Sequence, residues 1–223
     1  MISDIHNDFI NFRKMLKKIE FTQKDTLYIL GDVFDKGYRP MPVELYFEIL
    51  KYENIYVIRG NHDNWLSQSI KAAVRNKKDE TYSDSYYLIK EGLVEMDMLN
   101  LADWIDSMPL QVVVEVEGVK YLLAHAQTEA PVYTKDEEYF LMGDFDKNFY
   151  QNGIPGFVSV IGHITTDFLR TWLNEKQKYP CEIWKNKQGN VYSIDCGNGI
   201  RKANADYCRL ACMRLNDRKY YYV

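Results

Sequence analysis

Nowhere in the 223 residues does an apolar run approach the roughly 20 residues that span a bilayer, so no membrane partner is expected. The chain opens Met1-Ile2-Ser3-Asp4, with neither a basic segment nor an apolar signal core, and a cytoplasmic protein is expected. A basic excess is missing too. The 28 lysines and arginines face 32 aspartates and glutamates, and the net charge of −4 argues against a nucleic-acid partner. Cysteine is sparse: Cys181, Cys196, Cys208 and Cys212 contain no CxxC pair, and free thiols are expected rather than disulfides or a zinc site. Internal repeats, low-complexity segments and linkers are absent, so residues 1–223 read as one domain. With 46% hydrophobic residues, a chain of this length can bury one full core.

What is present is organised around Tyr28-Ile29-Leu30-Gly31-Asp32-Val33-Phe34-Asp35-Lys36-Gly37. Residues 28–30 read as a buried strand ended by Gly31, which permits a tight turn. Asp32 and Asp35 would project from the loop beyond, where ligands bind in α/β domains. Two carboxylates held close together repel unless a cation or a proton donor lies between them. Residues 55–58 form a second such strand, running into Arg59-Gly60-Asn61-His62-Asp63 and then a helix over 65–74. Asp4-x-His6 is a shortened third case. It is followed by a helix through Phe9, Phe12, Met15, Leu16 and Ile19, with Asn7 or Asp8 as N-cap. This βαβ rhythm implies a largely parallel sheet.

Between these motifs, residues 43–50 are read as a helix after Pro40 and Pro42, and residues 76–87 as a surface loop. A helix over 93–108 ends at Pro109. Strands over 111–116 and 120–124 form a hairpin around Glu117-Gly118 and deliver His125. Residues 128–156, acidic and aromatic, read as a solvated loop over the site. A strand over 157–161 ends in Gly162-His163. Further strands are expected at 182–184, 191–194, 207–213 and 219–223, with a turn at 188–190.

Every histidine of the chain thus falls in a polar or glycine-containing cluster just past a strand. With Asp4, Asp32, Asp35 and Asn61, the four histidines His6, His62, His125 and His163 form one set. Oxygen and imidazole ligands together suit manganese, iron or zinc, and argue against calcium or a thiolate site. Asp4-x-His6, Gly31-Asp32-x-x-Asp35-x-Gly37, Gly60-Asn61-His62-Asp63, His125 and Gly162-His163 resemble, in order and spacing, the motifs of calcineurin-like metallophosphoesterases. The similarity is greatest to the branch of serine/threonine protein phosphatases and their bacterial and phage counterparts. Ile194-Asp195-Cys196-Gly197 resembles that branch's closing strand.

The resemblance implies an α/β fold, a sandwich of two mixed β-sheets flanked by helices, with two divalent metal ions at the strand ends. Manganese is the preferred metal, with iron or zinc as alternatives. Asp4, His6 and Asp32 would hold the first metal; Asp32, Asn61, His125 and His163 would hold the second. His62, oriented by Asp35, would be the general acid, since a neighbouring carboxylate favours a protonated imidazole. Arg59, Lys36 and Asn61 would bind the substrate phosphate, although Arg59 reads equally as a surface arginine at a strand end.

The departures from the pattern carry expectations of their own. Only three residues precede Asp4, so the start is truncated or misassigned, or the first metal rests on a frayed terminus. Lys36 stands where the protein phosphatases carry arginine, and loses the bidentate fork. No arginine lies between Gln127 and Gly156, leaving Arg170 or a lysine as a substitute. Asp63 replaces a glutamate, as in the dinucleoside polyphosphate hydrolases. The expected function is a phosphoprotein phosphatase using a metal-bridging hydroxide. The alternatives are a dinucleoside polyphosphate or small-metabolite hydrolase, and a degenerate binding protein.

Overall fold

The computed structural model describes residues 1–76, 83–200 and 207–223. After α1 (Phe9–Lys18), β1 (Leu27–Leu30) leads through α2 (Pro42–Leu50) to β2 (Ile55–Ile58). Three helices follow: α3 (Asn61–Asn76), α4 (Tyr86–Gly92) and α5 (Glu95–Ser107). The second half holds β3 (Gln111–Val116), β4 (Val119–Ala124), α6 (Glu137–Met142), α7 (Lys147–Asn152), β5 (Val158–Ile161) and α8 (Thr166–Trp172). It ends with β6 (Trp184–Lys185), β7 (Val191–Ser193), β8 (Ala211–Met213) and β9 (Tyr220–Tyr222).

These strands make two mixed sheets. In the first, β1 and β2 pair in parallel, and Ile2 bridges Ile29 on one side and Cys212 of β8 on the other, with β9 beyond. The second has the order β3-β4-β5-β7-β6, parallel in its centre and antiparallel at both edges. Because side chains alternate along a strand, each sheet has two faces to bury. Leu30, Ile58 and Met213 meet Tyr121, Leu123, Val160 and Tyr192 between the sheets. On the outer face of the first sheet, Ile29 and Val57 pack against Phe12, Met15, Leu45, Leu66, Ile89 and Leu101 of helices α1 to α5. On the outer face of the second, Ile161, Val191 and Trp184 pack under Phe149, Tyr150 and Leu169 of α7 and α8. The expected sandwich is therefore present, in four layers.

Several local expectations are corrected. Residues 1–3 are not frayed. The Ile2 N–H donates to Tyr28 O at 3.0 Å, its carbonyl accepts from Leu30 N at 2.9 Å, and the side chain is fully buried. Helix α3 begins at Asn61 rather than at residue 65, which puts Asn61 and His62 in its first turn. Of the loop expected at 76–87, residues 77–82 lie outside the described residues, while Ser83 and Ser85 are buried and Tyr86 opens α4. The stretch 128–156 is not simply solvated. It contains α6 and α7, capped by the Asp136 and Asp146 carboxylates, with Tyr139, Leu141, Phe149 and Tyr150 buried. Helices of six or seven residues are too short to show a 3.6-residue period, and α6, α7 and α8 are all of that length. All four cysteines are buried, and none is in a disulfide. Among the described residues no helix is long and apolar enough to cross a membrane.

Candidate metal centre and active site

The loops beyond Ile2, β1, β2, β4 and β5 converge at one end of the sandwich, and they do so on unusual backbone. Asp4, His6, Asn7, Asp32, Asp35, Lys36 and His163 all have φ between +52° and +69°. Non-glycine residues rarely adopt that region, and where they cluster the surrounding structure must hold them. Part of that hold is Asp63. Its carboxylate accepts the N–H groups of Asp32, Val33 and Gly60 at 2.9 Å and of Phe34 at 3.2 Å, pinning the Asp32 loop to the start of α3. Gly60 itself cannot carry a side chain, because a Cβ there would collide with the backbone N and carboxylate of Asp32.

Two groups of donors share Asp32. Its Oδ2 lies 3.6 Å from His6 Nε2, which is 3.8 Å from Asp4 Oδ1. Its Oδ1 lies 3.3 Å from His125 Nε2. His125 Nε2 and His163 Nδ1 are 3.2 Å apart, and both face Asn61 Oδ1, at 2.9 and 3.1 Å. Asp4–His6–Asp32 and Asp32–His125–His163 are each compact enough for one ion to touch all three side chains. His125 Nδ1 meets Leu30 O at 2.8 Å, and His6 Nδ1 meets the carbonyls of Phe34 and Asp35 at 3.1 Å. A proton on Nδ1 serves those carbonyls and leaves Nε2 as a lone pair turned inward, the arrangement metal-binding histidines use.

The donors fit divalent ions on further grounds. Asp4 Oδ1 is buried and without a hydrogen-bond partner, although Asp4 Oδ2 takes the His163 N–H at 3.1 Å and the Ser3 hydroxyl. Burial, reinforced by the Asp32 charge, pushes Asp4 up to about 7. Burial by itself would lower His125, but Asp32 outweighs it and raises the imidazole to about 10. Burial would likewise raise Asp32, yet His125 holds it below the usual carboxylate range. His6 falls to about 4 and His163 to about 3, chiefly through burial. So many buried acceptors converging on two points call for cations, and the oxygen and imidazole chemistry is that of first-row divalent metals.

A second constellation adjoins this one. His62 Nδ1 is 3.1 Å from Asp35 Oδ2. Asp35 Oδ1 accepts the Ser83 hydroxyl at 2.5 Å and the Ser85 N–H at 2.8 Å. The His62 ring stands edge-on to His6 at 5.3 Å and to Trp65 at 4.6 Å between centroids. Lys36 is exposed, and its charge reaches His6 and His163. Arg59 Nη1 is held by Glu137 of α6 at 3.2 Å and by Asn64 at 3.3 Å.

Residues 1–175 match the family model described as calcineurin-like phosphoesterase. The chain belongs to that family. Among curated proteins, the symmetrical bis(5'-nucleosyl)-tetraphosphatase of Buchnera aphidicola subsp. Acyrthosiphon pisum is 28% identical over 175 residues, which is 78% of this chain and 60% of that protein. The protein of the same name from Delftia acidovorans is 25% identical over 162 residues, covering 72% of this chain and 54% of the relative. The chain thus spans about 60% of the length of the first of these relatives. A solved metallophosphoesterase from Sphaerobacter thermophilus superimposes with a TM-score of 0.58 at 16% identity, covering all of this chain and 86% of its own. A structure described as a candidate diadenosine tetraphosphatase gives 0.62 at 16% identity, with 100% and 90% covered. At such identities these structures bear on the fold alone.

All ten residues singled out from the sequence lie at this end of the phosphoesterase fold. Arg170 does not serve as the missing arginine: its Nη1 is turned to Glu175 at 3.5 Å, and the same carboxylate takes the Trp184 indole N–H. Sequence reasoning overlooked the supports. Asp63 was weighed only as a replacement for glutamate. Ser83 and Ser85 were placed in a surface loop. The turn at Asn198–Ile200 also contributes, since Asn198 Nδ2 donates to Ile5 O at 2.7 Å and Gly199 closes against the His6 ring. Ser83-Asp84-Ser85 ahead of Tyr86 is the one sequence feature that marks the Asp35 anchor, and its burial shows only in the fold.

Proposed function

We propose that the protein is a metal-dependent hydrolase of dinucleoside polyphosphates. The observation that carries the phosphoesterase chemistry is the pair of buried donor groups sharing Asp32 beside the His62–Asp35 pair. The names of the curated relatives favour a dinucleoside polyphosphate over the phosphoprotein first expected.

Asp4, His6 and Asp32 would hold one ion, and Asp32, Asn61, His125 and His163 the other. Two divalent ions supply charge against the phosphoryl oxygens and lower the pKa of a water for in-line attack. The remaining work falls to the chain. Arg59, exchanging Glu137 for a phosphate oxygen, and Lys36 bind and orient the phosphoryl group. His62, held by Asp35 through Nδ1, delivers a proton to the leaving oxygen.

The test uses metal-stripped protein resupplied with manganese, given diadenosine tetraphosphate, a phosphoserine peptide and p-nitrophenyl phosphate. ADP release faster than phosphate release from the peptide is the expected outcome. The reverse order would return the protein to the phosphoprotein phosphatases. Inactivity with manganese, iron and zinc alike would make it a binding protein.

Metal uptake is also expected to be linked to protons. Without metal, burial raises Asp4 to about 7 and Asp32 raises His125 to about 10, so both hold protons that uptake must displace. Ligands must be deprotonated, so apparent manganese affinity rises with pH. Uptake should release more protons at pH 6 than at pH 8. Calorimetry in buffers of different ionisation enthalpy counts them, and a release independent of pH would contradict the assignment.

A further inference from the structure

Beside Asn61 the surface opens into a pocket of about 400 Å³, most of whose lining the proposed chemistry leaves without a role. One wall is Asn61, Asn64, Trp65 and Gln68, which the helical repeat places on a single face of α3. The other is formed by α6, with Glu138 and Met142 among its residues. Glu137 of α6 and Asn64 both line it and both hold Arg59, so the guanidinium stands at its border. The volume falls in the range of small-molecule sites, roughly 300–1,000 Å³.

We propose that this pocket holds one nucleobase of the substrate, stacked on Trp65. The inference rests on the dinucleoside polyphosphate reading and names the part of the substrate that the pocket takes. An indole gives a flat apolar platform on which any base can stack. The amides of Asn64 and Gln68 each present a donor and an acceptor, as the edge of a heteroaromatic base does, and Glu138 can accept from an exocyclic amine. The charges sort the two ends of a nucleotide. Glu137 and Glu138 disfavour a phosphate inside the pocket, while Arg59 at its border, Lys36 and the donor cluster draw it towards the metal ligands. With the Trp65 and His62 rings 4.6 Å apart, a base on the indole lies next to the group that protonates the leaving oxygen.

The experiment compares AMP with ribose 5-phosphate, which lacks only the base, as inhibitors of p-nitrophenyl phosphate hydrolysis by the manganese-loaded protein. AMP is expected to bind about tenfold more tightly, the effect of one base–aromatic stack. Trp65→Ala and Gln68→Ala should bring the ratio towards one, and Trp65→Phe should keep it. The ratio cancels any general damage to the site. In metal-free protein AMP, but not ribose 5-phosphate, should quench tryptophan fluorescence, and Trp65→Phe should remove that signal. Equal inhibition by both compounds in the unaltered protein overturns the proposal, as does a ratio that survives both alanine variants. Equal inhibition in a protein that still cleaves diadenosine tetraphosphate removes the pocket and keeps the function. A base effect in a protein that prefers the phosphopeptide does the opposite. A preference for lysine beside the phosphoserine that Glu138→Gln abolishes would give the pocket to a peptide and overturn the assignment.

Discussion

Asp32→Asn is expected to lower hydrolysis about 10³-fold or more and to leave fewer than two manganese ions bound, because among the described residues no other side chain belongs to both donor groups. The substitution keeps the shape and removes the charge. It also replaces one carboxylate oxygen by an N–H donor, which points at an imidazole lone pair wherever it is placed. The backbone N–H of residue 32 is already held by Asp63, so the loop itself should survive. Asp4→Asn is the informative contrast. Asp4 belongs to the His6 donor group and touches the other only through the His163 backbone N–H, so its loss should weaken one ion more than the other. Metal stoichiometry by calorimetry, beside circular dichroism in chelator, separates lost binding from lost fold. Two ions bound normally by the Asp32→Asn protein would refute a shared ligand.

How much of this was legible in the sequence depended on how local each signal is. Asp32, Asn61, His62, His125 and His163 were readable because each directly follows a four- to six-residue apolar strand. Those strands and their helices implied a largely parallel sheet, and the two-sheet sandwich came from the family resemblance. Asp63 was not readable as a support. Its four partners are backbone N–H groups, three of them about thirty residues away, and a backbone donor has no sequence identity. Ile2 was missed as a sheet element because a single bridging residue has no period to detect. Arg59 shows a different limit. Its residue type suggested a phosphate clamp, but only the fold reveals that Glu137, 78 positions later, already occupies it. Residues 128–156 misled because acidic helix caps and loop acids look alike, and buried aromatics decide between them only in three dimensions.

His62→Asn should separate proton transfer from metal binding. The imidazole sits against Asp35 and belongs to neither donor group, so the variant should still bind two manganese ions. Its deficit should depend on the leaving group. p-Nitrophenolate leaves readily without a proton, so the loss on p-nitrophenyl phosphate should be modest, about tenfold. Phenolate is far more basic, and on phenyl phosphate the full contribution of a general acid, roughly 10²–10⁴, should be lost in kcat. Asp35→Asn should give a weaker version of the same pattern. Asp35 touches no reacting atom, but it positions His62 through Oδ2 while Ser83 and Ser85 fix its other oxygen. Parallel kinetics on the two esters with metal titrations decide the matter. An equal loss on both esters would make His62 a positioning residue, and a missing metal ion would make it a ligand.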